Sequence, residues 1–104
     1  MDLSEVIERV EVGDYADSGL PVGMGELLLV EACNGSIRAA YTFKELHFPT
    51  KDDWGMDTAQ DTGLFSAVIR KNMYVYHSSA MDDTLPQAIV LAVLRGLQRQ
   101  YSDE

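Results

Sequence analysis

The sequence predicts an α+β fold: an antiparallel sheet of three to four strands packed against a C-terminal helix and a shorter N-terminal helix. Residues 62–80 alternate as a hairpin, TGLFSAV and then MYVYHSSA, across a turn at Arg70-Lys71-Asn72. Residues 82–101 follow as a capped helix in which every residue from Ala88 to Leu94 is apolar. Near the start, Leu3, Val6, Ile7 and Val10 recur at three and four residues, the stripe of a short amphipathic helix. The length of 104 residues suits a single domain, 1–104, with one core.

Each element has its own grounds. Asp2 and Glu5 have the spacing of a capping box, and the first helix should stop before Gly13. Residues 13–25 hold four glycines and Pro21, so they read as a connecting loop. In residues 24–33 the apolar run is too continuous to show a period, and Asn34-Gly35 suits either a hairpin turn or a helix C-cap. The flanks tilt this segment to helix. Ile37, Ala39, Tyr41 and Phe43 alternate with Arg38, Ala40 and Thr42, which predicts a half-buried strand over 37–43. Residues 44–63, interrupted by Pro49 and Gly55, read as a long irregular segment, and loops of that length are often functional. Two strands follow, with Met73, Val75, His77 and Ser79 on one face and Tyr74, Tyr76 and Ser78 on the other. Asp82, Asp83 and Thr84 offer N-cap oxygens to the last helix, Gln87 completes a second capping-box spacing, and the tail SDE should fray. An apolar excess over 85–97 needs covering by the sheet and another helix, or by a second copy in a homodimer.

Charge narrows the partners. Seventeen acids against eight bases give a net charge of -9, and residues 1–31 hold eight acids against Arg9 alone. Such a surface repels phosphate backbones, which excludes direct nucleic-acid binding as the leading reading. It attracts a basic protein surface and speeds the encounter. With 46% hydrophobic residues the chain should fold without a cofactor, and the single Cys33 leaves no intrachain disulfide or multi-cysteine zinc site. The acidic N-terminal stretch lacks the basic segment of a signal peptide and no apolar run is long enough to span a bilayer, so a cytoplasmic location, with no membrane partner, is the expectation.

Few side chains offer chemistry. His77, Ser78 and Ser79 are adjacent on a strand and cannot converge on one atom. His47 and His77 lack ligand spacing for zinc, the acids of DDWGMDTAQD miss the calcium-loop pattern, and the glycines form no phosphate loop. Cys33 lies in an apolar run near Glu31, which suits an inert core thiol. The expected site is therefore a binding surface: Asp52, Asp53, Trp54, Asp57 and Asp61, with Trp54 either an interface anchor or a lid folded onto the sheet. Burial statistics favour packing over exposure for Tyr74 and Tyr76, beneath the first helix.

The order of parts also suggests a family. LSEVIERVE, a short apolar segment ending in Gly35, a Trp-bearing polar stretch, a hairpin and then TLPQAIVLAVLRGL together resemble the small phage proteins of the ABA-sandwich group, including NinX-like proteins. Residues 44–63 depart from that pattern, since the family usually carries an aromatic-rich strand there. The resemblance implies a phage or prophage gene acting in a host bacterial cell, an antiparallel sheet with helices packed on it, and no established enzymatic activity. Joined to the charge, it gives the functional expectation of an acidic, non-enzymatic inhibitor that occupies a host protein's basic surface, an anti-defence protein of the anti-CRISPR-like or nucleic-acid-mimicking kind. The alternatives are an immunity protein neutralising a toxin nuclease, and a small-molecule sponge with a pocket between hairpin and helix.

Overall fold

A computed structural model describes residues 3–72 and 74–102. The proposed Asp2 cap, the facing of Met73 and the terminal Asp103 and Glu104 lie outside the described residues. Helix α1 (Leu3–Glu11) buries the predicted stripe of Leu3, Val6, Ile7 and Val10. Its end is a Schellman motif, with Gly13 at φ 88 and the Gly13 and Asp14 N–H groups returning to Val10 O and Arg9 O. Two 3-10 turns, Tyr15–Asp17 and Val22–Met24, punctuate the expected loop.

Helix α2 (Glu26–Cys33) settles the Asn34-Gly35 question in favour of a helix cap. Gly35, at φ 110, closes a second Schellman motif through Gly35 N to Ala32 O and Ser36 N to Glu31 O. Ser36 then caps the next helix by accepting from the Ala39 N–H at 3.1 Å. The strand expected at 37–43 is therefore overturned: α3 is a helix, Ile37–His47. Its buried residues, Ala39, Ala40, Phe43 and Lys44, follow a helical period, while Ile37 and Tyr41 of the apparent alternation are exposed. Pro49 ends it by keeping Phe48 out of helical backbone, at φ -133 and ψ 74.

The irregular segment expected over 44–63 is overturned as well. After the 3-10 turn Thr50–Asp52, the chain enters strand β1 (Trp54–Asp61), which turns through Thr62-Gly63 into β2 (Leu64–Lys71). Thr62 and Gly63 have φ 52 and 84, the positive angles of a two-residue type I′ hairpin turn. Strand β3 (Val75–Asp82) completes a three-stranded antiparallel sheet in the order β1-β2-β3. The second turn lies beyond Lys71, with Asn72 in the left-handed region at φ 54. A bulge opposite Ile69/Arg70 inserts His77, so that Tyr76 pairs with Arg70 and Ser78 with Ile69. Tyr76 and Ser78 consequently lie on opposite faces, contrary to the uninterrupted alternation.

Helix α4 (Leu85–Ser102) is the centre of the molecule, packed on β3 and β2 and covered elsewhere by α1, α2 and α3. Every residue from Ala88 to Leu94 is buried within the single chain. No second copy is needed to cover it. Its start departs from the expected capping box: Gln87 donates to Val10 O and to Asp82 Oδ2, tying α1 to the helix, while Asp82 Oδ1 accepts from the Thr84 N–H. Gly96 lets α4 approach β3 closely, because a Cβ there would meet Ser78 Oγ at 2.8 Å and the Phe48 ring at 3.0 Å. The sheet's other face is open: Tyr74 is 86% and Tyr76 55% exposed, so neither packs beneath α1 as expected.

Candidate functional site

Strand β1 forms one rim of the sheet, and its burial fades after Gly55, leaving residues 57–61 exposed. Helix α4 covers β2 and β3 and does not extend over that half of the hairpin. In a two-residue hairpin the residues flanking the turn exchange both ladder hydrogen bonds, and pairing then alternates. Asp61 pairs with Leu64, so the residues whose backbone N–H and C=O point outward are Gln60, Thr58, Met56 and Trp54. The Trp54 carbonyl is taken by Lys44 Nζ at 3.2 Å. Among the described residues, no hydrogen bond from another element reaches the outward groups of Met56, Thr58 and Gln60.

The predicted acids line this rim without clustering. Asp52 sits in the 3-10 turn before β1, and Asp53 follows in left-handed backbone at φ 67. Asp57 and Asp61, four residues apart on the strand, share one face and lie roughly 13 Å from each other along it. Asp57 pairs with Arg70 at 2.6 Å in an exposed ion pair of at most about 1 kcal/mol. Trp54 packs partly inward. It is half-buried, its ring edge-on to Phe48 at 4.6 Å and to His77 at 5.0 Å, with Lys71 Nζ 5.9 Å above it. The packing that the lid reading expects is present.

What holds the base of β1 is a buried cation that sequence reasoning missed. Lys44 is 3% exposed, and its ammonium donates to Glu45 Oε1, Thr50 Oγ1 and Trp54 O, three acceptors for three protons. Hydrogen bonds from the Thr50 hydroxyl and N–H hold the Glu45 carboxyl below the usual range, with Lys44 adding to the effect. The residues KELHFPT carried the signal, a lysine beside a capping glutamate just before a proline.

The opposite rim, β3, is finished differently. Arg95 Nη1 donates to Ser79 O at 3.1 Å and Arg99 Nη1 to His77 O at 2.7 Å, so two outward carbonyls are taken by guanidiniums from α4. Arg95 also reaches Glu11 at 3.5 Å. Here the strand is plugged; at β1 it is bare.

Side chains with chemical potential elsewhere are occupied. His47 Nε2 donates to Met24 O at 2.7 Å and His77 Nε2 to Gly96 O at 2.9 Å, which separates the two rings and commits one nitrogen of each. Burial lowers the pKa of His47 against the opposing bond to Met24. Burial, with the Asp82 charge behind it, pushes the Cys33 thiol up to about 12, so it stays protonated at neutral pH. Among the described residues, no three histidine, cysteine, aspartate or glutamate side chains gather where they could hold a metal ion, and no helix is long and apolar enough to cross a membrane.

Fold and rim together define a small α+β domain whose three-stranded antiparallel sheet is packed on a buried C-terminal helix and has one open edge. Comparison with known proteins finds no family model, curated protein or solved structure that matches the chain.

Proposed function

We propose that this chain is a non-enzymatic binding protein that receives a basic, extended segment of a partner protein along the β1 rim. The observation that carries the reading is the contrast between a bare, acid-lined β1 edge and a β3 edge closed by Arg95 and Arg99. Main-chain groups at Met56, Thr58 and Gln60 supply pairing to an added strand, and Asp52, Asp53, Asp57 and Asp61 supply attraction to its Lys or Arg side chains. The same acids oppose pairing of β1 with a second copy of itself, because like charges would face each other across the new edge. A host protein's basic surface, blocked by a phage- or prophage-encoded inhibitor with an anti-defence role, is the setting the sequence resemblance favours. An immunity protein covering a basic nuclease site uses the same surface.

The test is titration of a lysine- and valine-alternating peptide into labelled protein, followed by amide shifts over a range of salt. Shifts should centre on residues 55–61. Thr58→Pro removes an outward N–H without touching the β1–β2 ladder and should abolish binding in a folded protein. Changing Asp52, Asp53, Asp57 and Asp61 together to Asn should weaken binding and flatten its salt dependence. Peptide shifts that ignore both variants would sink the proposal.

A further inference from the structure

Between α1, β3 and the last turns of α4 lies an open cleft of about 420 Å³. Arg95 and Arg99 form one wall, and Tyr76, Ser79 and Ser4 supply hydroxyls around it. No aspartate or glutamate is among its lining residues, and the one carboxylate that meets its arginines among the described residues is Glu11, 3.5 Å from Arg95 Nη2. Among the described residues Arg99 has a single hydrogen bond, to His77 O, and meets no carboxylate. A guanidinium carries five N–H donors, so most of its capacity is unspent. The bond to His77 O fixes that arginine against the cleft instead of leaving it to sweep solvent.

A second cleft of about 310 Å³ adjoins the first and shares Tyr76, His77 and Arg99 with it. It adds Lys71 and the Trp54 ring, and again has no acidic lining residue. Three cations and two aromatic side chains are thus gathered along one rim of an otherwise acidic surface. Closing the β3 edge needs only the two carbonyl contacts. It does not account for the open volume or for three cations meeting where the lining holds no acid.

We propose that this paired cleft binds a small phosphorylated molecule, its phosphate between Arg95 and Arg99 and its body directed toward Tyr76 and Trp54. Planar guanidiniums suit the oxygens of a phosphate, and a dianion uses two or three cations better than a monoanion does. The site touches β1 only at Trp54, short of the Met56–Gln60 stretch that the peptide experiment reads, so that experiment neither supports nor weakens it.

Phenyl phosphate, inorganic phosphate, benzoate and benzyl alcohol titrated into labelled protein test the assignment. Phenyl phosphate should give saturable shifts at residues 76–79 and 95–100, inorganic phosphate the same shifts at weaker affinity, and benzyl alcohol none. Arg99→Gln should weaken phenyl phosphate at least about tenfold, a loss of roughly 1.4 kcal/mol, with Arg99→Lys intermediate. The spectra of both variants report at once whether they are folded. Absence of saturable shifts in the unaltered protein, equal affinity for Arg99→Gln, or equal affinity for benzoate would each overturn the proposal.

Discussion

The two edges of the sheet are made from the same backbone and treated in opposite ways. At β3, α4 sends Arg95 and Arg99 across to Ser79 O and His77 O, and the helix lies close because residue 96 is glycine. At β1, the helix has receded, the outward groups of Met56, Thr58 and Gln60 meet nothing from another element among the described residues, and only negative side chains discourage chance pairing. An unpaired strand edge invites association, and proteins normally blunt it. The proposed selectivity of the second edge rests on this contrast, one edge plugged and the other left bare with a sign of charge.

The first way to break this comparison is through the base the edges share. Phe48 is fully buried and touches both Trp54 of β1 and His77 of β3. Phe48→Ala should cost about 3–5 kcal/mol in urea unfolding. A loss under 1 kcal/mol would mean that the aromatic contact does not support the sheet. Next comes Gly96→Ala, which improves helix propensity by nearly 1 kcal/mol yet forces a methyl group against Ser78 Oγ and the Phe48 ring. A net loss of about 1–3 kcal/mol is expected, read from the same unfolding curves.

Opening the plugged edge should have a smaller effect on stability and a visible one on association. Arg95→Gln with Arg99→Gln removes two charge-assisted bonds, one from a half-buried and one from an exposed side chain, for a loss of about 1 kcal/mol. Sedimentation velocity should then show concentration-dependent self-association through β3, and a strictly monomeric double variant would remove the case for edge protection. The smallest effect concerns pH. His47 has a folded-state pKa below its ordinary 6.5, so folding favours the neutral ring. Its contribution to stability is fully present above that ordinary value and is lost as pH falls through the lowered folded value. Unfolding free energy should decline on acidification from neutrality, with a shallower decline in His47→Gln.

Much of this architecture was legible from residues alone, and the failures have physical causes. Helix α1 carries a buried stripe on a helical period, β2 buries alternate residues at Ala67 and Ile69, and α4 shows an unbroken apolar run, so burial wrote their patterns into the sequence. Helix α3 misled because Ile37 and Tyr41 are exposed apolar residues that happened to alternate with buried Ala39 and Phe43. The decisive local clue was Gly35-Ser36, a C-cap glycine followed at once by an N-cap serine. Strand β1 was invisible for the opposite reason: with neither face buried beyond Gly55, nothing selects a period of two. Only the positive-φ turn at Thr62-Gly63 and the pairing with β2 define it. The segment that carries the acids was therefore read as loop, while Lys44 and the guanidinium plug lay in contacts between distant residues.

The ammonium of Lys44 has one more implication. By seizing the Trp54 carbonyl it puts a stop at one end of the free β1 edge, leaving a berth that begins at Met56 and finishes at Gln60 before the hairpin tip. A visiting strand longer than about five residues must bend away at that stop. Sliding by a single position would turn each of its side chains to the wrong side. Under the proposed strand addition, the lysine would serve as a ruler, setting how much of a visitor could lie down and in which alignment.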